Sequence, residues 1–269
     1  KSLQAAAIFT VAILRLHLKQ SVDKRLQQEQ SMHNYRLWLV FSNLIVLSGL
    51  LLSTSVWAVV NVDKTRIVFN PSDLTQSINV INSGQNETFL QIWTDEGDLT
   101  LSPDASITPI IVIPPVVKMF PGEMRSLRLM LTSRQTLPAN RESLFWLNIY
   151  QIPALKKALS VAERKVVLPL RIRLKIFVRP AGLNAPLTID PEKIRFAVSG
   201  NKITITNPTP WFMSMNVNPK GHQSIKNLMI APQSDLQLNS DATLKSGDSV
   251  SYAVINDQGI PVNYATVFK

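Results

Sequence analysis

Hydrophobic and polar residues alternate along Val166–Pro180, which reads VVLPLRIRLKIFVRP. One parity is wholly aliphatic up to Val178. The other parity carries four cationic side chains, at Arg171, Arg173, Lys175 and Arg179. A period of two is typical of a β-strand with one apolar and one polar face. The length predicts an unusually long strand, and Pro169, which has no N–H for a ladder, predicts a place at a sheet edge.

Similar but shorter runs recur after residue 58, separated by Pro, Gly, Asn and Ser. Examples are TRIVF before NPSD, FLQIWT before DEGD and KITIT before NPTP. Many short strands with regular turn residues predict an all-β fold of immunoglobulin-like sandwiches. The stretch RPAGLNAPL interrupts the pattern after Arg179, so we predict two sandwiches in tandem, at residues 59–180 and 181–269.

Residues 32–58 have the layout of a secretory signal peptide. Arg36 gives a short positive region, a mostly apolar stretch follows, and small residues precede the end of the segment at Ala58. The alternative is a membrane anchor, but the apolar stretch is shorter than about 20 residues and no basic cluster follows it. We expect export and cleavage after about Ala58.

Residues 1–31 precede this leader, and Met32 is the first methionine in the sequence. One interpretation is that Met32 is the true start and that residues 1–31 are a misassigned upstream extension. The alternative is a genuine cytoplasmic extension. A mature N-terminus upstream of Met32, measured by mass spectrometry, would contradict the first interpretation.

The composition argues against several classes of function. Of 269 residues, 45% are hydrophobic and 17% are charged, which is typical of a folded protein. The net charge of +10 favours anionic partners in general, yet no basic run or motif indicates nucleic acid. The chain has no cysteine and three histidines, of which only His222 lies beyond the leader. Thiol chemistry is therefore excluded, and neither a catalytic triad nor a multi-histidine metal site is expected.

One acidic cluster could suggest a metal. Asp95, Glu96 and Asp98 lie close together in WTDEGD, but they lack the twelve-residue pattern of an EF-hand. We interpret them as an acidic turn after a strand. No phosphate-binding loop or nucleophile elbow occurs either, so we expect neither a cofactor nor an enzyme of known type.

Several longer motifs together resemble one protein family. IPPVVKMFPGE, LPANRESLFWLNIYQIP, RLKIFVRP, ITNPTPWF and INDQG occur in this order after TRIVF. They are similar to the PapD-like periplasmic chaperones of chaperone–usher pilus assembly, and the resemblance covers residues 59–269. It implies two immunoglobulin-like domains in an L-shaped arrangement that bind pilus subunits whose own sandwich lacks its last strand. Such a chaperone lends a strand of its own, which is a form of β-augmentation.

The resemblance also assigns roles to particular residues. Val166, Leu168 and Leu170 match the apolar positions of the donor strand, while Ile172–Val178 face their own core. Arg66 and Lys175 match the two cations that anchor the subunit's C-terminal carboxylate. Three further residues match a charged network between the domains, namely Glu142, Arg179 and Asp257.

The sequence thus predicts an ATP-independent periplasmic chaperone that binds pilus subunits and delivers them to an outer-membrane usher. The alternative is an exported two-domain structural or adhesive surface protein. Subunits of this system have a single domain and an alternating N-terminal extension, and the sequence shows neither feature. An exposed apolar edge favours self-association of the free protein, a point that the sequence alone leaves open.

Overall fold

Sixteen strands in two sandwiches make up the part of the chain that the computed structural model describes, namely residues 60–153, 169–240 and 244–269. The predicted leader, residues 1–31 and the donor positions Val166 and Leu168 lie outside the described residues. The described part contains no helix with the length and hydropathy needed to cross a membrane. Both sandwiches belong to one compact unit.

The first sandwich contains nine strands. They are β1 (Val60–Val62), β2 (Arg66–Phe69), β3 (Thr75–Asn82), β4 (Thr88–Asp95), β5 (Ile110–Ile113), β6 (Val116–Met119), β7 (Met124–Leu131), β8 (Ser143–Pro153) and β9 (Leu170–Val178). One sheet has the order β1-β3-β7-β5, and the other has the order β2-β9-β8-β4-β6. The inward residues of both sheets form one core, because alternate side chains along each strand point to the same face.

The second sandwich contains seven strands. They are β10 (Arg195–Ser199), β11 (Lys202–Asn207), β12 (Met213–Pro219), β13 (Ile225–Ile230), β14 (Ser234–Asn239), β15 (Ser249–Ile255) and β16 (Pro261–Val267). The sheets have the orders β10-β11-β14 and β13-β12-β15-β16, and they enclose a separate apolar core. A short 3-10 turn, Asp190–Lys193, precedes the first of these strands.

The strand pairings follow the hydrophobic pattern with one exception in direction. All pairs of neighbouring strands are antiparallel except β2 and β9, which are parallel. Residues 66–69 of β2 pair with residues 175–178 of β9. On its other side, β9 pairs with β8 along the whole length of β9. The first five residues of β9 therefore have a strand partner on one side only among the described residues.

Among the described residues, the long alternating strand begins at Leu170 and ends at Val178. Pro169 lies just before β9 rather than within it, and the strand ends at Val178, before Arg179 and Pro180. Proline has no N–H to donate to the ladder with β8, which explains why regular pairing starts at Leu170. The inward positions Leu174, Ile176 and Val178 are buried in the core, as predicted.

Candidate functional site

Arg66 and Lys175 are direct neighbours on the paired strands β2 and β9. The register places Arg66 beside Lys175 and Ile67 beside Ile176. Ile67 and Ile176 are buried in the core, so the two cations point to the opposite, outer face of the sheet. The fold thus brings together two residues that are more than 100 positions apart in the sequence.

The Arg66 guanidinium reaches from the first sandwich to the second. Its Nη1 donates a hydrogen bond of 3.0 Å to the carbonyl oxygen of Ile255, and its Cζ lies 5.8 Å from the centre of the Phe177 ring. The buried Nε–H finds no acceptor among the described residues. A half-buried guanidinium with an unused donor can donate a further hydrogen bond to an anionic ligand.

Lys175 makes a similar crossing. Its Nζ donates to Ser214 Oγ of the second sandwich at 3.1 Å and lies 5.9 Å from the centre of the Trp146 ring. Within the described residues, neither Lys175 nor Arg66 has a carboxylate within ion-pair distance. Two half-buried cations therefore lie side by side, and no described carboxylate pairs with either of them.

Burial disfavours the charge on both groups, and repulsion by Arg66 adds to this effect at Lys175. Burial lowers the pKa of Lys175, and the positive charge of Arg66 lowers it further. Burial also lowers the pKa of Arg66, although the charges of Asp257 and Glu142 partly oppose this effect. An anion bound between them would relieve the repulsion and stabilise both charged forms.

Glu142, Arg179 and Asp257 form a network that joins the two sandwiches. Arg179, which is 1% exposed, donates from Nε to Glu142 Oε1 at 3.0 Å. Its Nη1 and Nη2 donate to the two carboxylate oxygens of Asp257 at 2.9 and 2.7 Å. Glu142 also accepts a 3.0 Å hydrogen bond from the backbone N–H of Phe212. The sequence-predicted trio is thus in direct contact.

Burial dominates the titration of Glu142. Loss of water raises the pKa of Glu142 to about 7, and the attraction of Arg179 offsets only part of that effect. Burial alone would lower the pKa of Arg179, but the hydrogen bonds and charges of Asp257 and Glu142 raise it overall. A buried ionic group of this kind fixes geometry more than it adds stability.

A cavity of about 250 Å³ lies beside this network, between the two sandwiches. Its walls include Arg66, Phe177, Phe212, Ile255 and Asp257. Lys175 is not part of the cavity wall, although it contacts Ser214 of the second sandwich from the strand next to Arg66. Arg66 therefore faces the enclosed part of the cleft, and Lys175 lies beside it.

The donor-strand prediction is represented in the described residues by Leu170 alone. Leu170 is 46% exposed, although its position in the alternation is the same as that of the buried Leu174 and Ile176. It pairs with Gln151 of β8, and β2 does not extend to it. Among the described residues, the first residue of β9 thus has a half-exposed apolar side chain and no strand partner on the side of β2.

The sequence interpretation missed one cluster on the outer face of the same sheet. Asp95, which we interpreted as part of an acidic turn, is the last residue of β4 and has a fully buried side chain. It forms ion pairs with Arg171 and Arg173 of β9. The only sequence hint was the shared parity of the two arginines on the polar face of the strand.

The described residues contain no group of three or more acidic or histidine side chains that could hold a metal ion. At the cleft, Arg66 and Lys175 offer charged hydrogen-bond donors beside β9, whose first residues lack a second strand partner among the described residues. This arrangement suits recognition of a peptide chain end.

Comparison with known proteins agrees with this description. Residues 59–184 match the family model of the pili and flagellar-assembly chaperone PapD N-terminal domain. Residues 190–266 match the model of the pili assembly chaperone PapD C-terminal domain. Among curated relatives, the chaperone protein FimC of Escherichia coli K12 is 32% identical over 198 residues, which are 72% of this chain and 78% of FimC. The chaperone protein FimB/FhaD of Bordetella pertussis is 32% identical over 203 residues, which are 72% of this chain and 82% of that protein.

Solved structures give the same result. The CupB2 chaperone of Pseudomonas aeruginosa has a TM-score of 0.62 at 27% identity, over 77% of this chain and 100% of that chain. The YadV chaperone has a TM-score of 0.65 at 26% identity, over 78% of this chain and 100% of that chain. The fold, the two family models and the relatives together place this chain in the PapD-like family of pilus-assembly chaperones.

Proposed function

We propose that this chaperone holds pilus subunits by lending them the start of β9 while Arg66 and Lys175 bind the subunit's C-terminal carboxylate. One observation carries the proposal: the two half-buried cations lie in register where the pairing of β9 with β2 begins, and no carboxylate in the described part of the chain pairs with them. We assign the chain to the periplasm, with residues 32–58 as the cleaved leader and an outer-membrane usher as the recipient of the subunit.

The geometry predicts the direction of the bound strand. Its carboxylate would lie at Lys175, and the rest of the strand would extend along the free edge toward Leu170, about 17 Å away at ~3.3 Å per residue. The client's C-terminal end would thus lie toward the C-terminal end of β9. The two strands would run parallel, with evenly spaced, slanted hydrogen bonds.

The two recognition elements serve different purposes. Charge-assisted hydrogen bonds from Arg66 and Lys175 would contribute ~1.5–3 kcal/mol each and would fix the register of the client along β9. Leu170, with the predicted donor residues Val166 and Leu168, would contribute ~1.5–3 kcal/mol per fully buried side chain, before ordering costs. The anchor therefore determines which client position faces each apolar residue.

The interdomain network has a supporting role in this proposal. Glu142, Arg179 and Asp257 hold the second sandwich against the end of β9. Ile255, which accepts the Arg66 hydrogen bond, and Ser214, which contacts Lys175, both belong to that second sandwich. The network would thus orient the anchor without binding the client.

Co-expression with a pilus subunit tests the proposal. The unmodified chain should give a soluble one-to-one periplasmic complex, and Arg66→Ala or Lys175→Ala should abolish that complex while the variants remain folded. Lys202→Ala, which removes an exposed cation from β11, is the matched control and should protect the subunit normally. If both anchor variants protect the subunit as well as the control does, the anchoring assignment is wrong.

A further inference from the structure

The carboxylate of Asp95 is the centre of a dense cluster on the outer face of the β9-β8-β4 sheet. It is completely buried and accepts four hydrogen bonds. The donors are Gly97 N at 2.7 Å, Asn148 Nδ2 at 2.7 Å, Arg173 Nη2 at 2.6 Å and Arg171 Nη2 at 3.3 Å. Two of these donors lie on β9, so the cluster ties β9 to β4 across the intervening strand β8.

The neighbours of Asp95 complete the bonding of both guanidinium groups. Asn148 of β8 accepts hydrogen bonds from Arg171 Nε at 2.9 Å and from Arg173 Nε at 3.0 Å. The Arg171 Cζ lies 4.7 Å from the centre of the Trp93 ring, and the Arg173 Cζ lies 4.7 Å from that of Trp146. Planar guanidinium groups that are bonded at the edge and stacked on a ring have little remaining freedom.

The cluster contacts the part of β9 that has the fewest strand partners. Residues 170–174 pair with β8 but not with β2. The backbone of such a segment opens locally more easily, and its amide hydrogens then exchange faster. Arg171 and Arg173 are the outward residues of this part, and they alternate with the inward residues Leu170 and Ile172. Fixing the outward side chains therefore fixes the direction of the inward ones.

The charge balance of the cluster argues against a purely stabilising role. Two arginines share one fully buried carboxylate, so one positive charge is left uncompensated within the cluster. Apolar residues of similar size would hold the sheet together at least as well, whereas buried ionic groups are effective in fixing one geometry. What this arrangement provides is a defined position for the start of β9.

We propose that Asp95 is a positioning residue that holds residues 170–174 against β8 in the arrangement a client strand requires, before any client binds. This inference rests on the proposed function, since it concerns the edge along which the client would pair. A preformed edge lowers the ordering cost of binding. Asp95 would thus act on the client through Arg171 and Arg173 without touching it.

Hydrogen–deuterium exchange on the free protein tests the positioning directly. In Asp95→Asn, those amides of residues 170–174 that donate to β8 should exchange at least about tenfold faster, because the charge-assisted bonds are lost. The amides of residues 175–178, which are held between β2 and β8, should change little. Glu87→Gln is the matched control, because it removes the exposed ion pair with Lys118 on the same sheet.

A second readout links the positioning to capture. A pilus subunit diluted from urea into the Asp95→Asn chain should be captured at least about tenfold more slowly than by the Glu87→Gln chain. Arg173→Lys keeps the charge but loses the fork and the ring stacking, so it should give an intermediate capture rate and intermediate exchange. A residue that only adds global stability would not produce this graded, local pattern.

Three results would overturn the inference. These are exchange at residues 170–174 equal to that of the Glu87→Gln control, exchange accelerated equally throughout the first sandwich, or normal capture despite faster local exchange. The proposed function fails separately, when Arg66→Ala and Lys175→Ala leave capture unchanged, and that outcome does not alter the exchange result.

Discussion

The two halves of β9 share one alternating sequence pattern but have different surroundings. Residues 175–178 lie between β2 and β8, and their inward side chains Ile176 and Val178 are 0% and 1% exposed. Within the described part of the chain, residues 170–174 pair only with β8, and Leu170 is 46% exposed. From Leu174 onward the row of aliphatic side chains therefore belongs to the chain's own core, whereas Leu170 at its start remains half exposed.

We infer from this difference that the extent of β2 determines the surroundings of each part of β9. Where β2 pairs with it, apolar burial stabilises the chaperone itself, at ~25 cal/mol per Å². Where β2 does not pair with it, the strand has no partner on that side among the described residues and Leu170 is half exposed, although Leu174 is buried in the core. Arg66 and Lys175, the proposed anchoring cations, lie at the boundary between the two parts. The predictions below test this division, beginning with the largest expected effect.

The largest effect is expected from truncation of the core half. Ile176→Ala should lower the free energy of unfolding by about 2–5 kcal/mol, because it leaves a cavity in a fully buried core. Urea unfolding followed by far-UV circular dichroism measures this change. Loss of less than about 1 kcal/mol would contradict the division.

Leu170→Ala is the matched variant in the free half. Its free energy of unfolding should stay within about 1 kcal/mol of the unmodified chain, because the side chain is nearly half exposed. Its affinity for a pilus subunit should nevertheless fall about tenfold or more, since ~1.5–3 kcal/mol of burial is lost at the interface. Unchanged affinity, measured by competition between the two chaperones for one subunit, would remove Leu170 from the donor strand.

The charged network of Glu142, Arg179 and Asp257, which lies just after β9, predicts that the free energy of unfolding depends on pH. The pKa of Glu142 is raised to about 7 in the folded chain, against an ordinary value of 4.5. At pH values between 4.5 and about 7, the folded state keeps a proton on Glu142 that the unfolded state has released. The stability that this proton contributes is therefore present at low pH and is lost as the pH rises through 7.

Comparison with Glu142→Gln isolates this contribution. The free energy of unfolding of the unmodified chain, relative to that of the variant, should fall by about 2–3 kcal/mol between pH 5 and pH 8. Denaturant unfolding at several pH values provides the measurement. Parallel pH profiles for the two chains would show that Glu142 titrates normally.

The smallest effect concerns the cation at the boundary. Because burial and Arg66 disfavour the charged form of Lys175, Lys175→Met should raise the free energy of unfolding slightly, by roughly 1 kcal/mol or less. The same variant should lose subunit binding. A clear loss of stability instead would indicate that Lys175 supports the fold rather than a ligand.

Much of the fold could be predicted from the sequence because it depends on local alternation. The runs TRIVF, FLQIWT and KITIT are each followed by turn residues, and they form the strands β2, β4 and β11. Pro169 was predicted to mark a sheet edge; it lies just before β9, whose first five residues pair with β8 and not with β2. The resemblance supplied the candidate pair Arg66 and Lys175, which alternation alone could not distinguish from solvated cations.

The remaining features are non-local, and alternation does not reveal them. The period of two shows that Arg171 and Arg173 point away from the core, but not that Asp95, 78 positions before Arg173, lies beneath them. That the three strands of this cluster are neighbours can be inferred only from the order of strands in the sheet. For the same reason, the parallel pairing of β2 with half of β9 could not be predicted from either segment.

The anchoring claim is tested most directly by removing the client's terminal charge. We suggest measuring the affinity of the unmodified chain and of the Arg66→Ala/Lys175→Ala double variant for a subunit with a free or an amidated C-terminus. Amidation should weaken binding to the unmodified chain by about 10–100-fold, as expected for charge-assisted hydrogen bonds, and should have almost no effect on the double variant. An equal loss for both chains would show that the two cations do not bind the carboxylate.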